Sequence, residues 1–247
     1  MTQETRIAVF RPDDERLAEA VELLEALGAD PIADPMLAVE PTGASPRADG
    51  DYTILTSKTG VELARAEGWT PSGTVCAIGD RTARALREAG YDVDLIPEEF
   101  SSVGLVRALD GEVAGARVEV ARSDHGSPVL TEGLNDAGAF VHETVLYRLV
   151  RPPESGVSVE RAAAGELEGA LFTSSLTVEH FLAATDERDL REEAIAGLST
   201  AVVGAIGEPT RATAEREGIA VDAVPENADF EELACGVVER AAPSYRE

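Results

Sequence analysis

The sequence predicts an α/β protein of two similar lobes, each a parallel sheet flanked by helices. Three observations predict it: a duplicated segment, a regular alternation of strand-length apolar runs with helical stripes, and two proline-bracketed extended runs. Residues 77–97 (AIGDRTARALREAGYDVDLIP) return as residues 205–225 (AIGEPTRATAEREGIAVDAVP). Ala77/Ala205, Ile78/Ile206, Gly79/Gly207, Thr82/Thr210, Gly90/Gly218, Val93/Val221, Asp94/Asp222 and Pro97/Pro225 coincide at a constant offset. A second pair lies upstream, Thr56-Ser57 with Val61-Glu62 and Thr173-Ser174 with Val178-Glu179. Two copies are too few for a solenoid, so the repeat predicts two related lobes enclosing a cleft.

The elements follow in order. Residues 6–10 (RIAVF) read as a buried strand, and Leu17, Val21 and Leu24 form a helical stripe stopped by Gly28. Strands are expected over 52–55, 75–78, 93–96 and 118–121, with helices over 60–67, 81–89, 103–109 and 128–137. The pattern resumes after Arg151-Pro152-Pro153 with strands over 169–172 and 200–203, then the second copy of the repeat. Strands separated by helices of about ten residues imply parallel sheets. Residues 35–41 (PMLAVEP) and the extended run from Glu143 to the prolines at 152 and 153 break this rhythm. Prolines at their flanks favour extended backbone, so these segments are read as crossings between lobes. One lobe is then residues 42–142, the other residues 1–35 plus 152–247, with linkers at 36–41 and 143–151.

Composition narrows the function. Of 247 residues, 44% are hydrophobic and only 4% aromatic, so cores must be built from Ala, Val, Leu and Ile. The 47 acidic residues outnumber 21 basic ones, a formal charge of −26, and Lys58 is the sole lysine. Such a surface repels nucleic acid and anionic membranes, and neither is expected as a partner. It also suggests a cytosolic protein of a salt-loving organism, where concentrated salt screens the charge. Cys76 and Cys235 form no metal or redox motif, and Cys76 reads as a buried strand residue. The N-terminal MTQETR has no apolar signal core, no stretch has membrane-spanning length, and a monomer in the cytoplasm is expected.

Hydroxyls cluster at strand-to-helix turns: Thr56-Ser57, Thr82, Ser123, Thr173-Ser174-Ser175 and Thr210. In open α/β sheets such turns collect anionic ligands, although ordinary helix capping explains each of them singly. No G-x-G-x-x-G or Walker A pattern occurs, so nucleotide binding lacks support. Tyr147, one of four tyrosines, lies in the second crossing, where a phenol could donate a proton or could simply pack as a strand aromatic. His125, His142 and His180 lack catalytic or metal-ligand spacing. The loop Arg122-Ser123-Asp124-His125-Gly126-Ser127 follows a strand and could clamp a carboxylate or be an ordinary turn.

Taken together, these pieces resemble the uroporphyrinogen-III synthase family. The resemblance rests on Val9-Phe10-Arg11-Pro12, Thr56-Ser57 with Val61-Glu62, Ala77-Ile78-Gly79-x-x-Thr82, Leu105-Val106, and the Arg122 loop with Gly138-Ala139-x-Val141. It continues through Val145-Leu146-Tyr147-Arg148, Phe172-Thr173-Ser174 and Ala205-Ile206-Gly207-x-x-Thr210. It implies two lobes joined by a two-stranded β ladder and a cofactor-free closure of hydroxymethylbilane to uroporphyrinogen III, with loss of water and inversion of the last ring. It further implies Tyr147 as proton donor and Thr210 as a polar group beside the reacting ring. Ser57, Thr82, Ser123, Ser174 and Ser175 would receive the substrate's carboxylates, with Arg11, Lys58 and Arg122 as the basic side chains facing it. Asp80 and Glu208 sit awkwardly close to those anion sites. A non-catalytic two-lobed binding or sensor protein is the alternative reading.

Overall fold

The computed structural model describes residues 5–242, so residues 1–4 and 243–247, including most of the MTQETR stretch, lie outside it. The chain divides into two compact units, Met1–Ala38 with Val150–Glu247, and Val39–Leu149. The first unit starts with strand β1 (Arg6–Phe10), helix α1 (Glu15–Ala26) and strand β2 (Asp30–Ala33). Asp14 caps α1, its carboxylate accepting the Arg16 N–H at 3.0 Å. Strand β3 (Ala38–Pro41) then carries the chain into the second unit.

The second unit comprises β4 (Tyr52–Leu55), α2 (Lys58–Ala66), β5 (Thr74–Ala77), α3 (Asp80–Glu88), α4 (Ser102–Ala108), β6 (Arg117–Ser123), α5 (Pro128–Asp136) and β7 (Phe140–Val150). Its sheet runs β3-β7-β6-β4-β5, and the pairs β7/β6, β6/β4 and β4/β5 are parallel. The two crossing strands, β3 and β7, are neighbours at one edge. The Thr42 N–H donates to the Leu146 carbonyl at 3.0 Å there.

The chain returns to the first unit through α6 (Val159–Ala163), β8 (Gly169–Phe172), α7 (Ser175–Asp186), α8 (Arg191–Leu198), β9 (Val202–Ala205), α9 (Glu208–Arg216) and α10 (Phe230–Ala241). These complete a parallel sheet of order β2-β1-β8-β9. Alternate residues of β1 serve opposite faces: Ile7 and Val9 pack with α1 and α10, whereas Ala8 and Phe10 pack with α7 and α8. Phe10 stacks on Phe172 at 4.5 Å between ring centroids and meets Phe181 at 5.0 Å, an aromatic cluster within a largely aliphatic core. The second unit is likewise filled from both faces, by α2 and α3 on one side and α4 and α5 on the other.

One expected strand is absent. Residues 93–96 make only a single bridge, Leu95 to Cys76. The reason is Asp94, whose carboxylate turns back to accept the Val75 N–H at 2.8 Å, with Pro97 ending any further donation. The strand expected at 200–203 begins later, at Val202. Cys76 is buried as expected, and burial together with the Asp94 charge pushes its thiol up to about 12.

Candidate functional site

Parallel strands deliver their carboxyl ends to one rim, and each unit gathers its hydroxyls there. In the second unit, Ser57 follows β4 and caps α2, accepting the Gly60 N–H at 3.0 Å. The same oxygen lies 2.9 Å from the Tyr147 hydroxyl. Tyr147 reaches it through a bulge: Arg122 is level with Val145 but Ser123 is level with Tyr147, so one residue of β7 is skipped. The bulge turns consecutive residues Leu146 and Tyr147 toward the same cluster, a re-aiming that regular alternation would forbid. Tyr147 is buried, with only 7% exposure.

Beside this pair, β5 ends in Ala77 and Gly79 begins α3 in extended backbone with no side-chain cap, so the first-turn N–H groups are uncovered. Thr82 on that turn is buried, with 4% exposure. Thr56, Ser57, Lys58, Gly79, Thr82 and Phe100 surround a cavity of about 460 Å³. Lys58 is exposed and pairs loosely with Glu62 at 3.4 Å, which leaves its ammonium able to change partners. A second cavity of about 400 Å³ lies near the start of β6 and β7, lined by Arg47, Asp49, Arg117, Phe140 and His142. It sits at the other strand ends, and Arg117 there is already bound by Asp49 and Asp51.

The first unit repeats the plan with other details. Arg11 follows β1, its guanidinium 4.2 Å above the Phe230 ring. Its Nε is buried without a partner among the described residues. Burial lowers its pKa, reinforced by Arg16 and opposed by Asp14 and Glu19. Ser174 caps α7 in a reciprocal box with Thr177, and the Ser175 hydroxyl donates to the Pro209 carbonyl at 3.1 Å. Gly207 begins α9 without a side-chain cap, and Thr210 on its first turn is buried. Glu208 is turned out toward Arg211, which relieves the expected conflict with an anion at this turn.

Arg122 departs from its expected role. It is buried, its Nε donates to Glu143 at 2.8 Å, and an Nη donates to the Ser127 carbonyl, so its charge is spent inside the unit. Ser123 ends β6 with its carbonyl taken by the Gly126 N–H at 3.2 Å. Beyond it, burial pushes the Asp124 carboxyl up, but hydrogen bonds from His125 and the Leu149 N–H outweigh that and hold it below the usual carboxylate range. The histidines have local partners: His125 with Asp124, His142 with buried Glu119 at 2.7 Å, and His180 with the Met36 carbonyl. No group of three or more His, Cys, Asp or Glu among the described residues is arranged to hold a metal ion, and no described helix is long and apolar enough to cross a membrane. Phe100, which sequence reasoning passed over, is the one aromatic in the cavity wall; an exposed Phe in an aromatic-poor chain was its only signal.

The comparisons with known proteins agree with this geometry. A family model described as "Uroporphyrinogen-III synthase HemD" matches residues 18–235. A putative uroporphyrinogen-III synthase of Methanothermobacter thermautotrophicus is 35% identical over 86% of this chain and 90% of its own length. A uroporphyrinogen-III synthase of Synechococcus elongatus is 33% identical over 64% of this chain and 66% of its own. Among solved structures, a mutant uroporphyrinogen III synthase of Thermus thermophilus shares the fold with a TM-score of 0.67 at 22% identity, covering 96% of this chain and 98% of that one. The enzyme of Helicobacter pylori does so with a TM-score of 0.62 at 14% identity, covering 96% and 100%.

Proposed function

The chain belongs to the uroporphyrinogen-III synthase family, and from that premise we propose how its residues close hydroxymethylbilane into uroporphyrinogen III in tetrapyrrole biosynthesis. The substrate's terminal hydroxyl must leave as water. Tyr147 gives that oxygen a proton as the C–O bond breaks, and electrons from the pyrrole nitrogen fill the vacated carbon to form an azafulvene. The substituted carbon of the last pyrrole then attacks to form a spiro centre, and its bond to the original methylene breaks to give a second azafulvene. The ring's free α-carbon closes on that methylene and loses its proton, so that the ring is inverted. A positioned acid contributes roughly 10²–10⁴-fold to such a step, and the rest falls to holding the chain in the attacking geometry.

The observation that carries this reading is the Tyr147–Ser57 hydrogen bond at a strand-end rim beside a cavity. With Ser57 as the donor, its hydroxyl holds the phenolic oxygen in one place and leaves the phenol O–H free to point at the substrate. Thr210, buried on the first turn of α9, is the polar group assigned to the reacting ring. Thr82, Lys58, Arg11, Ser123, Ser174, Ser175 and the uncapped N–H groups of α3 and α9 are assigned to the carboxylates, which helix N-termini favour. Arg122 is left out because Glu143 already neutralises it.

The experiment is to feed enzymatically generated hydroxymethylbilane in high salt and separate the isomers. Type III is expected, and type I alone would refute the reading. The acidic surface supports cytoplasmic work in concentrated salt, because a polyanionic substrate approaches a −26 protein only when charge is screened. Equal melting temperatures in millimolar and molar salt would contradict that.

A further inference from the structure

We propose that Phe100 is the stacking platform for one pyrrole ring of the substrate in the second unit's cavity, an inference that rests on the synthase reading above. Phe100 is 57% exposed in a chain where aromatic residues make up only 4%. Phe10, Phe172 and Phe181 are buried, and Phe140, at 69%, is the other exposed phenylalanine but lies at the opposite strand ends. Leaving a Phe in water forfeits burial energy, and nothing in the folding of this segment asks for it. Ser101, the next residue, caps α4 by accepting the Gly104 N–H at 2.9 Å, which any small or polar predecessor would allow. Phe100 is instead pinned at its base. A Cβ on Gly79 would stand 3.0 Å from the Phe100 Cγ and 3.1 Å from its Cβ, so the ring is seated on this turn and reaches into the cavity wall.

The polar lining is mixed: Lys58 and Arg81 offer positive charge to the carboxylate arms of such a ring, and Asp80 on the same lining opposes them, as expected from the sequence. Each pyrrole of hydroxymethylbilane bears an acetate and a propionate arm. Thr82 and the uncapped first turn of α3 line the same cavity as Phe100, and Lys58 lies on its rim. An electron-rich five-membered ring offset on the Phe100 ring would reach those donors with its arms. The first unit has no counterpart: Ala228 stands at the matching position, and a Cβ on Gly207 would meet nothing closer than Pro209 at 3.9 Å.

The test compares wild type with F100A, F100L and F100Y in molar salt. One readout is binding of a single pyrrole carrying one acetate and one propionate, followed by the amide shifts of Gly79 and Thr82. The other is KM and kcat for hydroxymethylbilane. F100A and F100L are expected to weaken pyrrole binding and raise KM about tenfold with kcat changed less, while F100Y stays near wild type. If F100L behaves as wild type, Phe100 is merely an apolar cover on Gly79 and the proposal is overturned. Pyrrole binding that is absent, or unchanged in F100A, overturns it equally. If the single pyrrole binds through Phe100 but no type III isomer forms, the subsite stands and the catalytic reading is the part that fails.

Discussion

The two copies of the repeated segment keep the same scaffold and differ where chemistry is expected. In both, an aspartate latches the strand before it: Asp94 accepts the Val75 N–H at 2.8 Å and Asp222 the Val203 N–H at 2.8 Å. Both hold the following residue in a single bridge, Leu95 to Cys76 and Ala223 to Gly204. Both end their helix at a glycine in the left-handed region, Gly90 at φ +91° and Gly218 at φ +89°. Both bury a threonine on the first turn. The upstream turns diverge instead. Ser174 has Thr177 three residues on, and each hydroxyl accepts the other residue's backbone N–H, both at 3.2 Å. Ser57 has Gly60 there, and its oxygen accepts the Gly60 N–H in the same way while also meeting the Tyr147 hydroxyl. The turns therefore share a cap and differ in what surrounds it: a side chain at Thr177, and at Gly60 a bare backbone whose absent Cβ would crowd the Ser57 oxygen at 3.1 Å.

That comparison can be broken most forcefully at Tyr147. Tyr147→Phe should lower kcat for type III formation about 100-fold or more, while Ser174→Ala, which removes only a cap, should cost about 1 kcal/mol of stability with kcat retained. Equal kinetic losses in the two would mean the turns have not diverged. Gly60→Thr should rebuild the first unit's reciprocal cap in the second. A Cβ there would already lie 3.1 Å from the Ser57 oxygen and 3.4 Å from Leu146, so Tyr147 loses its partner and kcat falls about tenfold in steady-state assays. The shared latch makes the opposite prediction: Asp94→Ala and Asp222→Ala should each destabilise by about 1–3 kcal/mol in chemical denaturation, since each orphans a strand N–H. A clear inequality would show that one latch is vestigial. The smallest effect separates the helix starts. Gly207→Ser, with open space around it, should gain a few tenths of a kcal/mol by supplying the missing cap, whereas Gly79→Ser should lose stability against Phe100 in the same thermal melts.

Much of this is legible in the sequence, and the gaps have physical causes. The strands over 6–10, 52–55 and 169–172 stand where their apolar runs stand, because a strand buried on both faces writes itself as a continuous run. Residues 93–96 carry the same signature, yet Asp94 spends its side chain on the neighbouring strand and the segment stays a bridge. Helices α7 and α10 escape sequence reasoning, since the alternation after 153 is legible chiefly through its strands. At the site, Ser57 and Tyr147 are each visible as residue types, but their meeting across ninety positions depends on a bulge that no local pattern announces. Arg122 shows the converse: a basic residue in a promising loop is indistinguishable from a ligand clamp until its partner, Glu143, is known.

The first unit's sheet has a consequence for how the chain leaves the ribosome. β1 lies in the interior of that sheet, paired on one side with β2 and on the other with β8, so that Ile7 stands level with Gly169. The nascent β1-α1-β2 segment therefore emerges with half of its central strand bare. It must wait while the whole of Val39–Leu149, a contiguous stretch with its own sheet and core, is synthesised and free to fold. The unit that is begun first is completed last, and during that interval β1 presents an unpaired strand edge, the kind of template on which another chain can pair.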